Sequence, residues 1–194
     1  WTNNTITVNA KCNDSLSGCT DATTSKSWQF SSGSTGAQNL SYTIIDKAGN
    51  SNTCSKTVNV YVDKTGPSTP TSGVIGNVSG SNTTGTIQTV AGGSTDSGIG
   101  QITYKYLVTT TSTQPANTDS RFSTSRNFTR SCGTTYYAWV VAEDGLGNRS
   151  SVKSLGSTSD GPNSYSEWSS CSKVCGNGTQ TRTNTCALVT TDLS

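Results

Sequence analysis

The chain has 194 residues, a formal net charge of +2 and only 12% charged residues. That charge is too small and too scattered for a nucleic-acid footprint, and no run approaches the roughly 20 apolar residues of a membrane-spanning helix. The polar mass is Ser, Thr, Asn and Gly, which suits short strands and tight turns, while the residues that favour long helices are scarce.

In chain order, residues 5–12 alternate, with Ile6, Val8, Ala10 and Cys12 on one face. A turn follows over 14–19. Trp28-Gln29-Phe30 and residues 40–45 are predicted strands, separated from the next by Asp46-Lys47-Ala48-Gly49-Asn50. Val58, Val60 and Val62 then alternate with Asn59 and Tyr61. Residues 63–70 contain Gly66, Pro67 and Pro70 and are predicted to be a short, stiff linker. Beyond it the order repeats. Residues 86–90 lead to Asp96-Ser97-Gly98-Ile99, residues 102–108 and 136–142 are strands, and Asp144-Gly145-Leu146-Gly147-Asn148 repeats the D-x-x-G-N turn. Recurrent strands with turn signals between them point to sandwiches. Residues 73–80 form an extra strand through Val74, Ile75 and Val78, with no counterpart in the first segment. The expectation is that a strand of the first domain lies upstream of Trp1. A second boundary falls at 157–162, where Gly161 and Pro162 follow a polar run.

The motifs C-x-D-x-x-S-G-C, D-x-A-G-N and V-x-V-Y-V-D-K-T-x-P in residues 1–64 resemble bacterial immunoglobulin-like repeats. Residues 71–155 resemble a looser, fibronectin type III-like version through D-S-G-I and Y-Y-A-W-V-V-A-E-D-x-L-G-N. The resemblance implies an all-β chain with two immunoglobulin-like β-sandwiches in tandem, at 1–64 (its N-terminal strand missing) and 65–160. The D-x-x-G-N turns are read as structural: Gly49 and Gly147 take the left-handed position and Asp46 and Asp144 accept backbone N–H groups. The rival reading is calcium, with Asp14, Asp46 and Asn50 as one weak candidate set and Asp96, Asp144 and Asn148 as the other. Each set has two carboxylates, against the 6–8 oxygens calcium takes, so neither metal nor cofactor is expected. In an immunoglobulin-like sandwich the turns near Cys19 and Cys54 share a pole, which makes Cys19–Cys54 the first-choice disulfide and Cys12–Cys54 its rival. Cys132 has no evident mate and is read as a buried thiol.

Residues 165–186, with W-S-S-C-S-x-x-C-G-x-G-x-x-x-R-x-x-x-C, resemble a thrombospondin type 1 repeat. The resemblance implies a small disulfide-rich β segment over 161–194, cut before its later cysteines, so that Cys171, Cys175 and Cys186 lack their partners. It places Arg182 on the face of Trp168, with Gln180 adding a layer.

The sequence has no histidine, so a Ser-His-Asp or Cys-His pair cannot form within it, and no Gly-rich phosphate loop is present. The chain is therefore expected not to be an enzyme. The expected role is a secreted or surface-exposed modular segment of a bacterial or phage protein, acting in adhesion or as a stalk. The alternative is a phage or virion fibre or decoration module that binds a host-surface glycan or protein. Arg121, Arg126 and Arg130, in the long polar insert over 109–130, are the candidate ligand loop.

Overall fold

The computed structural model describes residues 1–20, 24–80, 84–131, 133–159, 164–165, 167–172, 178–182 and 184–185. Among these residues the chain is all-β, without helices, in several small sheets and with one disulfide. It divides into two compact units. Unit one is Trp1–Gly66 with Asp96–Gln101 and Asp144–Asn148; unit two is Pro67–Thr95, Ile102–Glu143 and Arg149–Ser194.

Unit one holds two antiparallel pairs. Strand β1 (Ile6–Lys11) pairs with β2 (Ser25–Phe30), which sets Val8 opposite Trp28. Strand β3 (Thr35–Ile45) pairs with β4 (Ser51–Tyr61) along its whole length. Both are longer than their apolar runs. The ladder needs only backbone groups, and polar cross-strand pairs extend it: Thr43 and Thr53 hydroxyls lie 2.7 Å apart, and Thr57 donates to Asn39 Oδ1 at 2.7 Å. The interior is thin. Leu40, Val60 and Val62 are buried, and Trp28 meets Tyr42 edge-on at 6.4 Å. Thr2 bridges to Val62 in parallel, with Thr2 N–H donating to Tyr61 O and Asp63 N–H to Thr2 O.

Unit two has a richer core. One sheet has the order β5-β6-β8, formed by β5 (Ser72–Gly80), β6 (Thr84–Gly92) and β8 (Asn127–Ser131). The other has the order β10-β9-β7, formed by β7 (Thr103–Thr109), β9 (Tyr136–Glu143) and β10 (Lys153–Thr158). Strand β9 is central, and its residues alternate into two clusters. Ala138 and Val140 pack with Tyr106 and Leu155, joined by Ile75, Ala91 and Phe128. Trp139 and Val141 pack on the opposite face with Leu107 and Phe122. A near-continuous apolar run is what a strand buried on both faces requires. Strands β11 (Ser164–Tyr165) and β12 (Asn184–Thr185) form a separate short pair.

The second face of β9 is covered by the insert between β7 and β8. Phe122 is buried there, Tyr106 and Ser123 exchange backbone hydrogen bonds, and Trp139 Nε1 donates to Thr109 Oγ1 at 2.9 Å. Arg149 Nη1 donates to the carbonyls of Asn117 and Asp119, which fixes the middle of the insert.

At the end of β9, Glu143 sits between two cations, Lys105 Nζ at 2.5 Å and Arg149 Nε at 2.7 Å. Burial alone pushes the Glu143 carboxyl up, but the hydrogen bonds from Lys105 and Arg149 outweigh it and hold it below its ordinary value of 4.5. A carboxylate depressed in the folded state adds stability above its unfolded pKa, and that stability is lost as pH falls through the folded value. Unit two is therefore expected to weaken as pH drops below about 4.5. Glu143→Gln should lower stability at neutral pH and converge on wild type in acid. Denaturant melts across this range check it, and a constant gap between the two proteins would oppose it.

Candidate functional site

The two D-x-x-G-N turns fold alike. In the first, Asp46 Oδ1 accepts Asn50 N–H at 2.7 Å and Oδ2 accepts Asn50 Nδ2 at 2.8 Å. In the second, Asp144 Oδ1 accepts Leu146 and Asn148 N–H, and Oδ2 accepts Asn148 Nδ2 at 2.7 Å. Gly49 and Gly147 have φ of 91° and 87°, where a Cβ is strained. The Asn50 side chain, foremost among these contacts, holds the Asp46 carboxyl below its ordinary range.

The first weak calcium set does converge: Asp14, Asp46 and Asn50 line one cleft together with Cys12. Asp14 is directed to its own turn, accepting Leu16 N–H and the Ser17 hydroxyl, and both contacts lower its pKa. In the second set, Asp96 and Asp144 come together, and Asp63 joins them. One carboxylate oxygen from each of the three lies within 4.8 Å of the others. Asn148 meets them through its amide NH2, with Nδ2 donating to Asp63 O and Asp144 Oδ2. Burial pushes the Asp63 carboxyl up, but the Thr65 N–H and hydroxyl and the Ile99 N–H outweigh it and hold it low. Three carboxylates of this kind could take a hard cation, though three oxygens fall short of the usual calcium shell. Asp63 escaped the sequence analysis because it stands in the linker motif, far along the chain from both turns.

The disulfide expectation is corrected. The bridge is Cys12–Cys19, with Cα atoms 6.2 Å apart, and Cys54 is a free, exposed thiol. The turn after β1 doubles back so that Cys19 bridges to Asp46 on the end of β3, next to Cys12. Cys54 instead lies opposite Tyr42 within the β3–β4 ladder and lines an open cleft with Trp28 and Leu40. Closing this short loop stabilises by about 2.5 kcal/mol, less than the roughly 4 kcal/mol of the longer loop to Cys54. Cys132, Cys175 and Cys186 lie outside the described residues.

The arginine loop is also corrected. Arg130 is not a loop residue but part of β8, and it is 1% exposed. Arg126 donates its Nε to Thr89 O, and Arg121 is exposed and paired with Asp119 at 2.7 Å. That pairing, through the Arg121 hydrogen bonds above all, takes the Asp119 carboxyl down to about 2. The insert covers β9 through Phe122, an apolar residue that the charge pattern of the loop concealed.

In the last segment Arg182 Cζ lies 4.7 Å from the centroid of the Trp168 ring. Ser169 N–H donates to Thr181 O and Ser172 N–H to Thr179 O, which clamps the two chain segments that carry this pair. Gln180 Nε2 donates to Ser169 O. Residues 163–190 match the family model of the thrombospondin type 1 domain. No curated protein matches the chain. Within the thrombospondin-type segment, Cys171 is an exposed free thiol.

Peptide mapping without reduction is expected to recover Cys12 and Cys19 in one linked peptide, with Cys54 alkylated by a thiol reagent on the native chain. A linked peptide containing Cys54 would refute this pairing.

Proposed function

We infer that the chain is a non-catalytic stalk segment of a modular surface protein of a bacterium or phage, in which two immunoglobulin-like sandwiches precede a thrombospondin type 1 repeat. The observation that carries the reading is the Trp168–Arg182 stack in the segment that matches the thrombospondin type 1 domain, a domain typically found outside cells. Two further features support it. The D-x-x-G-N turns recur with the same hydrogen bonds. The connecting residues are tied down: Thr65 donates to Asp63 Oδ1 within unit one, while Pro67 and Pro70 are buried and Ser68 N–H donates to Thr95 O within unit two. Short, proline-stiffened connections suit projection rather than catalysis. The absence of histidine removes the commonest general base.

Antibodies raised against the chain are expected to label intact cells or virions of the source. Labelling only after lysis would defeat the surface assignment.

A further inference from the structure

In unit two, strand β7 and the insert that follows it separate after one bridge, and a cleft opens between them. Tyr106 and Ser123 pair antiparallel and exchange backbone hydrogen bonds. Continued along both segments, that register would set Arg121 opposite Val108. It does not continue, because Arg121 N–H turns to Asp119 Oδ1 at 2.9 Å. Val108 is left on the open edge of β7, where the alternation of an antiparallel strand directs its N–H and C=O outward, as it does those of Tyr106. The gap is a cleft of about 460 Å³, and Val108, Thr110, Thr111, Thr113, Gln114 and Arg121 are among its walls.

The walls are held in place, and their polar groups are spare. Thr109 Oγ1 accepts from Trp139 Nε1 and donates to Thr111 O, which anchors the wall that carries Thr110 and Thr111. On the other side Phe122 is buried and Arg149 holds the Asp119 carbonyl, so Arg121 stands between anchored residues. Asp119 takes Nε and Nη2 of Arg121, the latter at 2.7 Å. That leaves Nη1 and the second Nη2 hydrogen, the end-on fork of the guanidinium, without a partner among the described residues. The Thr110, Thr111 and Thr113 hydroxyls and the Gln114 amide make no side-chain hydrogen bond among the described residues either, and all four side chains are exposed.

We propose that this cleft binds a sugar acid, a pyranose that carries a single carboxylate. The end-on fork of a guanidinium is planar and takes a carboxylate through two parallel hydrogen bonds. Threonine hydroxyls and the Gln114 amide both donate and accept, and the Val108 edge adds a donor and an acceptor, which suits the ring hydroxyls around that carboxylate. Charge narrows the choice. Asp119 offsets the Arg121 charge and no other cation lines the cleft among the described residues, so phosphate, sulfate and sulfated chains gain little there. No aromatic ring lines it among the described residues, which leaves a neutral sugar without a stacking surface. The proposal adds a recognition site to the stalk reading and does not depend on it, because binding here is read on the isolated chain and surface exposure on the source.

The test is titration of the isotope-labelled whole chain, followed through its amide NMR shifts. Methyl glucuronide and methyl N-acetylneuraminide are the probes, one for each common source of this chemistry; methyl glucoside, sodium acetate and inorganic phosphate are the comparisons. At least one of the two acids is expected to shift the amides of Val108, Thr110, Thr111, Thr113 and Arg121 saturably, at lower concentration than any comparison compound. Which acid does so identifies the source. Arg121→Gln should abolish the response, and Arg121→Lys, which keeps the charge but loses the fork, should weaken it, as should Thr113→Val. Lys47→Gln, in unit one, should leave it intact. If Arg121→Gln disturbs amides beyond the cleft before any ligand is added, Thr113→Val decides. The proposal falls if neither acid shifts these amides, if acetate, phosphate or methyl glucoside matches the acids, or if the response survives the deciding variant.

Discussion

The structure of the second unit depends on one strand being buried on both faces. From Ala138 to Ala142 every side chain of β9 is removed from water, with even-numbered and odd-numbered residues feeding different clusters. Fully burying a residue the size of Val or Leu is worth about 1.5–3 kcal/mol. In a chain with 29% hydrophobic residues, that concentration matters more than the total. The facing sheet covers one side of β9. The insert over 109–130 covers the other, and its polar composition hides the one buried aromatic residue that does the covering. The ion pairs of Glu143 with Lys105 and Arg149 tie the end of this strand to its neighbour and to the chain beyond the turn.

Unit one works with less. Its apolar residues are few, its strands are extended by hydroxyl and amide pairs, and its turns are organised by aspartates that accept several N–H groups at once. The short Cys12–Cys19 bridge fixes a turn rather than joining distant strands. Such a design leaves rings and hydroxyls in contact with solvent. Trp1, Tyr61 and the Thr43 and Thr53 hydroxyls are examples.

Strand alternation and turn chemistry are local, and they were legible. The run 136–142 reads as a strand, and the D-x-x-G-N turns read as aspartate-organised with a left-handed glycine; both descriptions match the structure, while the burial of β9 on both faces emerges only from the fold. The Trp168–Arg182 stack followed from the residues of the resemblance, and the geometry places them together. What sequence could not give was the meeting of distant residues. Asp63 joins Asp96 and Asp144 only through tertiary contact. The disulfide depended on how one turn doubles back, which alternation does not encode. Arg130 looked like a loop charge because its neighbours are polar, yet it falls on the inward face of a strand.

The central claim is that β9 is the most protected element of unit two and that the insert helps to protect it. Native-state hydrogen exchange on wild type and Phe122→Ala measures this directly. The account expects the Ala138–Ala142 amides to exchange among the slowest, and Phe122→Ala to speed them along with those of β7, in line with the roughly 3–5 kcal/mol typical of truncating a buried Phe. Rapid exchange in β9, or β9 amides indifferent to the loss of Phe122, would contradict it.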